Sequence, residues 1–340
     1  MLQSILNTII IVAAFFVAAY LQIILHELGH LVMGLMTGYR FVSFRVGKLM
    51  LLKKHGKYLL KKFSLPGTVG QCLLNPPEVA YEKLPYKLYM FGGVIFNVLA
   101  SCISLLLFLI ISDDKGLFFI ILFFIGIAFA ILNGIPLNAG ELVNDGYNAI
   151  DLSKDISSRK GLWLQLKINA SQTEGMRTKD MPDEWFIMPE NVDLKKVNVT
   201  SALVFVENRY MDQGDFATAR EMANKLLSDE CNVIGIYRAM VKLDLFYMNV
   251  LENNEVADIS VFNDDGMVSM IMKQMKDVPK IVRSEYAKAV FEKDTIGQEN
   301  ALEHFEKMKG TYPTEGEYLA EEFLIQKLKE KHEILMNKAD

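Results

Sequence analysis

His26-Glu27-Leu28-Gly29-His30 is the stretch of this chain whose residue types and spacing can do chemistry. Residues at i and i+4 of a helix share a face, so His26 and His30 can point at one ion. Neutral imidazole is a good zinc ligand, and a catalytic zinc keeps three protein ligands and one open position. Glu27 lies about 100° further round such a helix. From there its carboxylate can take a proton from a water molecule at the ion. The setting sharpens the reading. Met1 to Leu25 carries no charged residue, and apolar residues resume after the motif with Leu31, Val32, Met33, Leu35 and Met36. Two imidazoles and a carboxylate thus interrupt what otherwise reads as a membrane-spanning helix. Unpaired polar groups are hard to tolerate there, and an ionisable residue marks function by default.

The elements that must position these groups follow from hydropathy. The first span is expected over about 5–37, with Gly38 as its stop and Tyr39-Arg40 at the interface. Residues 38–87 hold ten Lys and Arg against Glu78 and Glu82, so this loop is expected on the cytosolic side. Within it, Phe41 to Val46 and Tyr58 to Leu65 read as strands of an amphipathic β-hairpin, with turns at Gly56 and Pro66-Gly67. A second uncharged span covers 88–112 and contains Gly92-Gly93 and Asn97. Paired glycines allow close helix approach. Asn97 can hydrogen-bond either a partner helix or an extended substrate. Asp113-Asp114-Lys115 forms a short outer loop, and a third span over 117–137 ends at Asn133 and Pro136, which breaks the helix. Three spans with the basic loop inside put the N-terminus outside and Asp145 on the cytosolic side. Asp145, followed by Gly146, is the best third ligand, with Glu141 as its rival.

These residues resemble the site-2 proteases, the intramembrane zinc metalloproteases of peptidase family M50. His26 to His30 in a first span, followed by Gly38 and Phe44-Arg45-Val46-Gly47-Lys48, looks like the start of that family. Gly92-Gly93 to Asn97 is similar to its second-span motif. Asn133-x-x-Pro136 with Asp145-Gly146 resembles its third, although the Asp-Gly pair lies several residues further from the proline. The resemblance covers about residues 1–150 and includes no PDZ domain. It implies zinc on His26, His30 and Asp145, with Glu27 as the general base. It also implies that Asn97 and Asn133 hold the substrate backbone. The substrate is then a transmembrane peptide or single-pass membrane protein, paired as a strand with the 41–65 hairpin. A bacterial cell membrane is the expected location, and the lipid bilayer is itself a partner.

Composition divides the chain. Hydrophobic residues make up 51%. Residues 1–147 carry 11 Lys and Arg against 7 Asp and Glu, a net +4, and residues 148–340 carry 25 against 34, a net −9. The acidic half excludes a nucleic-acid partner. Three scattered cysteines without a CxxC give no disulfide framework. The expected fold is a mainly α membrane protein: a three-helix core over 1–147, a connector over 148–198 and a cytosolic helical domain over 199–340. In that domain Gly214 to Ala219 resembles half of a tetratricopeptide repeat, and Ala301, Phe305 and Pro313 match the same family spacing. Such a domain is expected to bind a protein partner. The competing reading is a membrane-anchored adaptor whose helical domain works while the metal site is not catalytic. A metal transporter is weakened by having only three spans.

Overall fold

Met1 to Leu25 offers no proline or glycine to interrupt a helix. The computed structural model accordingly has one continuous α1 over Leu2–Met36. It describes residues 1–64, 68–111, 116–137, 143–252 and 257–339, the last five by backbone alone. The expected Pro66-Gly67 turn, the 113–115 loop and the rival ligand Glu141 lie outside the described residues. At 1.5 Å per residue α1 is about 52 Å long, more than the roughly 30 Å of a bilayer's hydrocarbon. It stops where expected. Gly38 takes φ +90°, and the N–H groups of Gly38 and Tyr39 bind the last carbonyls at Leu35 and Gly34.

Four strands follow: β1 (Arg40–Val46), β2 (Leu49–Lys54), β3 (Lys57–Lys62) and β4 (Gly70–Asn75). They form one antiparallel sheet in the order β3-β2-β1-β4. The sequence suggested a two-strand hairpin over 41–65. β2 escaped notice because Leu49-Met50-Leu51-Leu52 is a continuous apolar run without alternation. β4 escaped notice because it opens on a glycine. The β2–β3 turn is His55-Gly56, both with positive φ (48° and 75°), the pairing that a two-residue hairpin demands.

α2 (Tyr86–Ile110) and α3 (Gly116–Gly134) complete a set of three helices long and apolar enough to cross a membrane. They expose Phe16, Leu109, Ile110, Phe124 and Leu132, a large apolar surface that water would not tolerate. Glycines let the three helices touch. A Cβ on Gly29 would fall on the backbone carbonyl of Gly92, and one on Gly92 on that of Gly29. A Cβ on Gly126 of α3 would meet Ser101 and Gln22.

The 148–198 stretch, expected as a connector, is largely helical: α4 (Asp145–Lys154), α5 (Ile156–Thr173) and the single turn α6 (Asp183–Phe186). α5 buries Trp163, Leu164, Leu166 and Ile168 but also Lys160 and Lys167, whose amines lie over the Trp163 ring. That mixture blurred its helical stripe. Two compact units result. One comprises residues 1–53 and 67–156, the other 54–66 and 157–340.

The second unit continues with α7 (Val197–Gln213), α8 (Phe216–Leu227), α9 (Gly235–Leu251), α10 (Val261–Asp264), α11 (Gly266–Gln274), α12 (Pro279–Glu292), α13 (Thr295–Met308) and α14 (Glu315–Ala339). Two helical hairpins turn by the same device. Gly214 (φ +77°) and Lys293 (φ +57°) reverse the chain, and the next residue, Asp215 or Asp294, caps the following helix through the N–H of Thr218 or Gly297. The core here includes Leu243, Tyr247, Met248, Ile281, Val282 and Leu328. Cys72, Cys102 and Cys231 are all free.

Candidate metal centre

α1 carries His26 and His30 on one face, and both side chains are nearly buried. Each imidazole is held by its Nδ1. His30 Nδ1 lies 2.7 Å from the carbonyl oxygen of Tyr89, and His26 Nδ1 lies 2.8 Å from Asn97 Oδ1, both on α2. A carbonyl and an amide oxygen can only accept, so both Nδ1 atoms carry the proton. In the neutral ring Nε2 is then the bare lone pair. The two Nε2 atoms face each other at 3.1 Å.

The third member comes from α4. Asn144 caps that helix, its Oδ1 accepting from the N–H of Tyr147, while its Nδ2 donates to the carbonyls of Leu132 and Ile135 at the end of α3. Gly146 then packs where a Cβ would strike the Gly134 carbonyl. Asp145 is thus fixed between a cap and a contact that only glycine permits. Its Oδ2 lies 3.1 Å from His26 Nε2 and 3.4 Å from His30 Nε2. Burial acts to raise this carboxyl, but the two imidazoles outweigh that effect and hold it well below the usual carboxylate range. It is therefore an anion at neutral pH.

Three such atoms within 3.4 Å of one another repel unless a cation, a proton or a metal ion, sits among them. Asp145 Oδ2 is indeed a buried atom without a hydrogen-bond donor. Neighbouring ligands of a tetrahedral zinc with bonds of about 2.0–2.1 Å lie about 3.3 Å apart. The donor set, two neutral imidazoles and one carboxylate, and its spacing both fit that ion. His26, His30 and Asp145 form the one group of three or more such residues with metal-compatible spacing among the described residues. The hydrogen bonds to Nδ1 supply the outer support that metal-binding histidines ordinarily have.

Glu27 points to the side of this trio. Its carboxylate lies against Gly70 at the start of β4, where a Cβ would displace it, and within electrostatic reach of His30, His26, Asp145 and Arg45. Arg45, fully buried in β1, donates to the carbonyls of Gly47 and Thr68. Gly93 leaves room for the His26 ring, which any Cβ there would strike.

The two asparagines expected to contact substrate make hydrogen bonds within the chain. Asn97 is fully buried, and its amide is taken up by His26 and by Gln22 on α1. Asn133 donates to the Phe129 carbonyl one turn back on its own helix. The hairpin expected to receive a substrate strand has no free edge on β1, which pairs with β2 and β4; the sheet's edges are β3 and β4. The sequence alone did not single out Gln22 or Gly70, and it placed Arg45 only within the Phe44 to Lys48 motif. Gln22 had a signal, as a lone amide one turn before His26 in an apolar helix. No protein-family model, no curated protein and no solved structure matches the chain.

Proposed function

We propose that this protein is an intramembrane zinc metalloprotease of the site-2 protease kind, which hydrolyses peptide bonds in transmembrane segments of single-pass proteins or peptides. One observation carries the reading: one ligand atom each from His26, His30 and Asp145 converge beside Glu27, at the crossing of helices apolar enough for a bilayer. His26, His30 and Asp145 would hold the metal. Zinc, when bound, supplies Lewis acidity and makes a water molecule a better nucleophile.

The other roles belong to this chain's own residues. The Glu27 carboxylate accepts the proton of the attacking water and delivers it to the leaving amine. Arg45 balances the charge of Glu27 from its buried position. β4 is the edge strand beside Glu27. Val69 O receives the N–H of Gly47, whereas Cys72 O faces α2 and receives the Tyr89 hydroxyl at 3.0 Å. Antiparallel alternation therefore turns Gly70, like Cys72, away from β1. An unwound substrate can add its backbone there as a strand, with the scissile carbonyl near the metal. Helix hairpins such as α7–α8 and α12–α13 suit a tetratricopeptide-like platform, on the cytosolic side by the charge of the 38–87 loop, for a partner or a substrate tail.

The variant Glu27→Gln tests the reading. Zinc content should stay at one per chain while cleavage of a membrane-embedded reporter peptide falls at least a hundredfold. Undiminished cleavage would refute the role of Glu27. A chain that binds zinc and never cleaves would favour the adaptor reading.

A further inference from the structure

A ligating imidazole must keep its proton on the nitrogen that faces away from the metal. For His30 a backbone carbonyl ensures this, and no side chain can undo it. For His26 the acceptor is the amide of Asn97, and an amide can turn over and present its NH2 instead. What prevents the flip is a chain of hydrogen bonds with one permitted direction. Asn97 Nδ2 lies 2.9 Å from the backbone oxygen of Gln22 and 2.7 Å from Gln22 Oε1. Gln22 Nε2 lies 3.1 Å from the carbonyl of Leu122 on α3. A backbone carbonyl only accepts, so Gln22 must turn its NH2 to Leu122 and its oxygen to Asn97. Asn97 must then turn its NH2 to Gln22 and its oxygen to His26. Gln22 and Asn97 are both fully buried, so no water competes. Gly126 leaves the space on α3 that the Gln22 amide fills.

We propose that Gln22 is a positioning residue for the metal centre: acting through Asn97, it fixes His26 as the Nδ1–H tautomer and so keeps Nε2 free for the ion. The relay spans all three apolar helices, and it makes the ligand state of α1 depend on how α3 is docked. The proposal rests on the metal reading above, but the tautomer of His26 can be read without any metal.

The experiment uses the full chain in detergent micelles. The tautomer of His26 is read in zinc-free protein from its imidazole nitrogen-15 shifts, and zinc affinity from chelator competition. Wild type should show a single Nδ1–H form. Asn97→Leu should mix the tautomers and weaken zinc binding 10- to 100-fold, the usual effect of losing such a partner. Gln22→Met should act in the same direction but less, roughly threefold to tenfold, because the Gln22 backbone oxygen still holds one Asn97 N–H. Gln22→Glu, as a neutral acid, can donate to Leu122 and accept from Asn97, and should restore both readouts. Ser101→Ala removes a different buried polar group, a hydroxyl that donates to the Asn97 backbone oxygen at 2.8 Å, and should change neither. A wild-type Nδ1–H form retained in Asn97→Leu would overturn the relay, as would Ser101→Ala weakening zinc as much as Asn97→Leu. Wild type that binds no zinc would sink the metal reading, while the tautomers would still decide the relay.

Discussion

At the residue scale, the centre depends on atoms that cannot adopt another arrangement. His26 occupies space that only a glycine at position 93 leaves open. Gly93→Ala places a methyl group on the imidazole, and the ring must turn away from Asp145. Zinc affinity is therefore expected to fall at least tenfold, measured by chelator competition. Circular dichroism should stay helical, because alanine is the better helix former. Asp145 is constrained in the same way from the chain side, by the Asn144 cap and by Gly146.

At the element scale, the second unit buries charge where α7, α9, α12 and α14 meet. Asp244 of α9 is fully buried and takes Lys280 at 2.5 Å together with Arg283, both from α12. Arg283 also reaches Glu321 of α14 at 2.6 Å. Removing one partner of such a group strands the others without water, at a cost of about 3–5 kcal/mol. Asp244→Ala is expected to lower the unfolding free energy of this unit by that amount, read as a fall in its denaturation midpoint. The chain's two tryptophans, Trp163 and Trp185, lie in the second unit, so their fluorescence follows it alone. Zinc affinity at His26 should not change, because the two units have separate cores. An unchanged midpoint would mean that the stranded cations find other partners.

At the scale of the whole molecule, acidity is concentrated in the second unit, and several of its carboxyls titrate abnormally. Burial pushes Glu317 up to about 7 despite the hydrogen bond it accepts from Tyr312, and pushes Glu207 and Glu321 up as well. In the folded chain these groups hold protons that the unfolded chain releases above about pH 4.5. Their contribution is complete below that pH and is lost as pH rises through the folded values. The tryptophan-monitored midpoint should therefore fall between pH 5 and about 7.5. Glu317→Gln should make that fall shallower, and an equally steep fall would show that Glu317 takes no part.

The sequence by itself determined whatever is local. The i, i+4 spacing of His26 and His30, the three apolar runs, the stop at Gly38 and the helical pattern from Gly214 to Ala219 are written over a few residues each, where one period or one backbone angle decides. Asp145 was legible as a favoured ligand, but Glu141 stood beside it because spacing along a broken segment fixes no distance. Only the tertiary structure decided the rest. It brought Asp145 to imidazoles more than a hundred residues earlier, turned Asn97 toward His26, recruited Gln22, and put β4 rather than β1 at the sheet edge beside Glu27. These are relations between elements, set by which backbones approach closely enough to exclude a Cβ. An amide in an apolar helix reads the same in sequence whether it will meet a substrate, a neighbour or a ligand's far nitrogen. Its partner is chosen by packing.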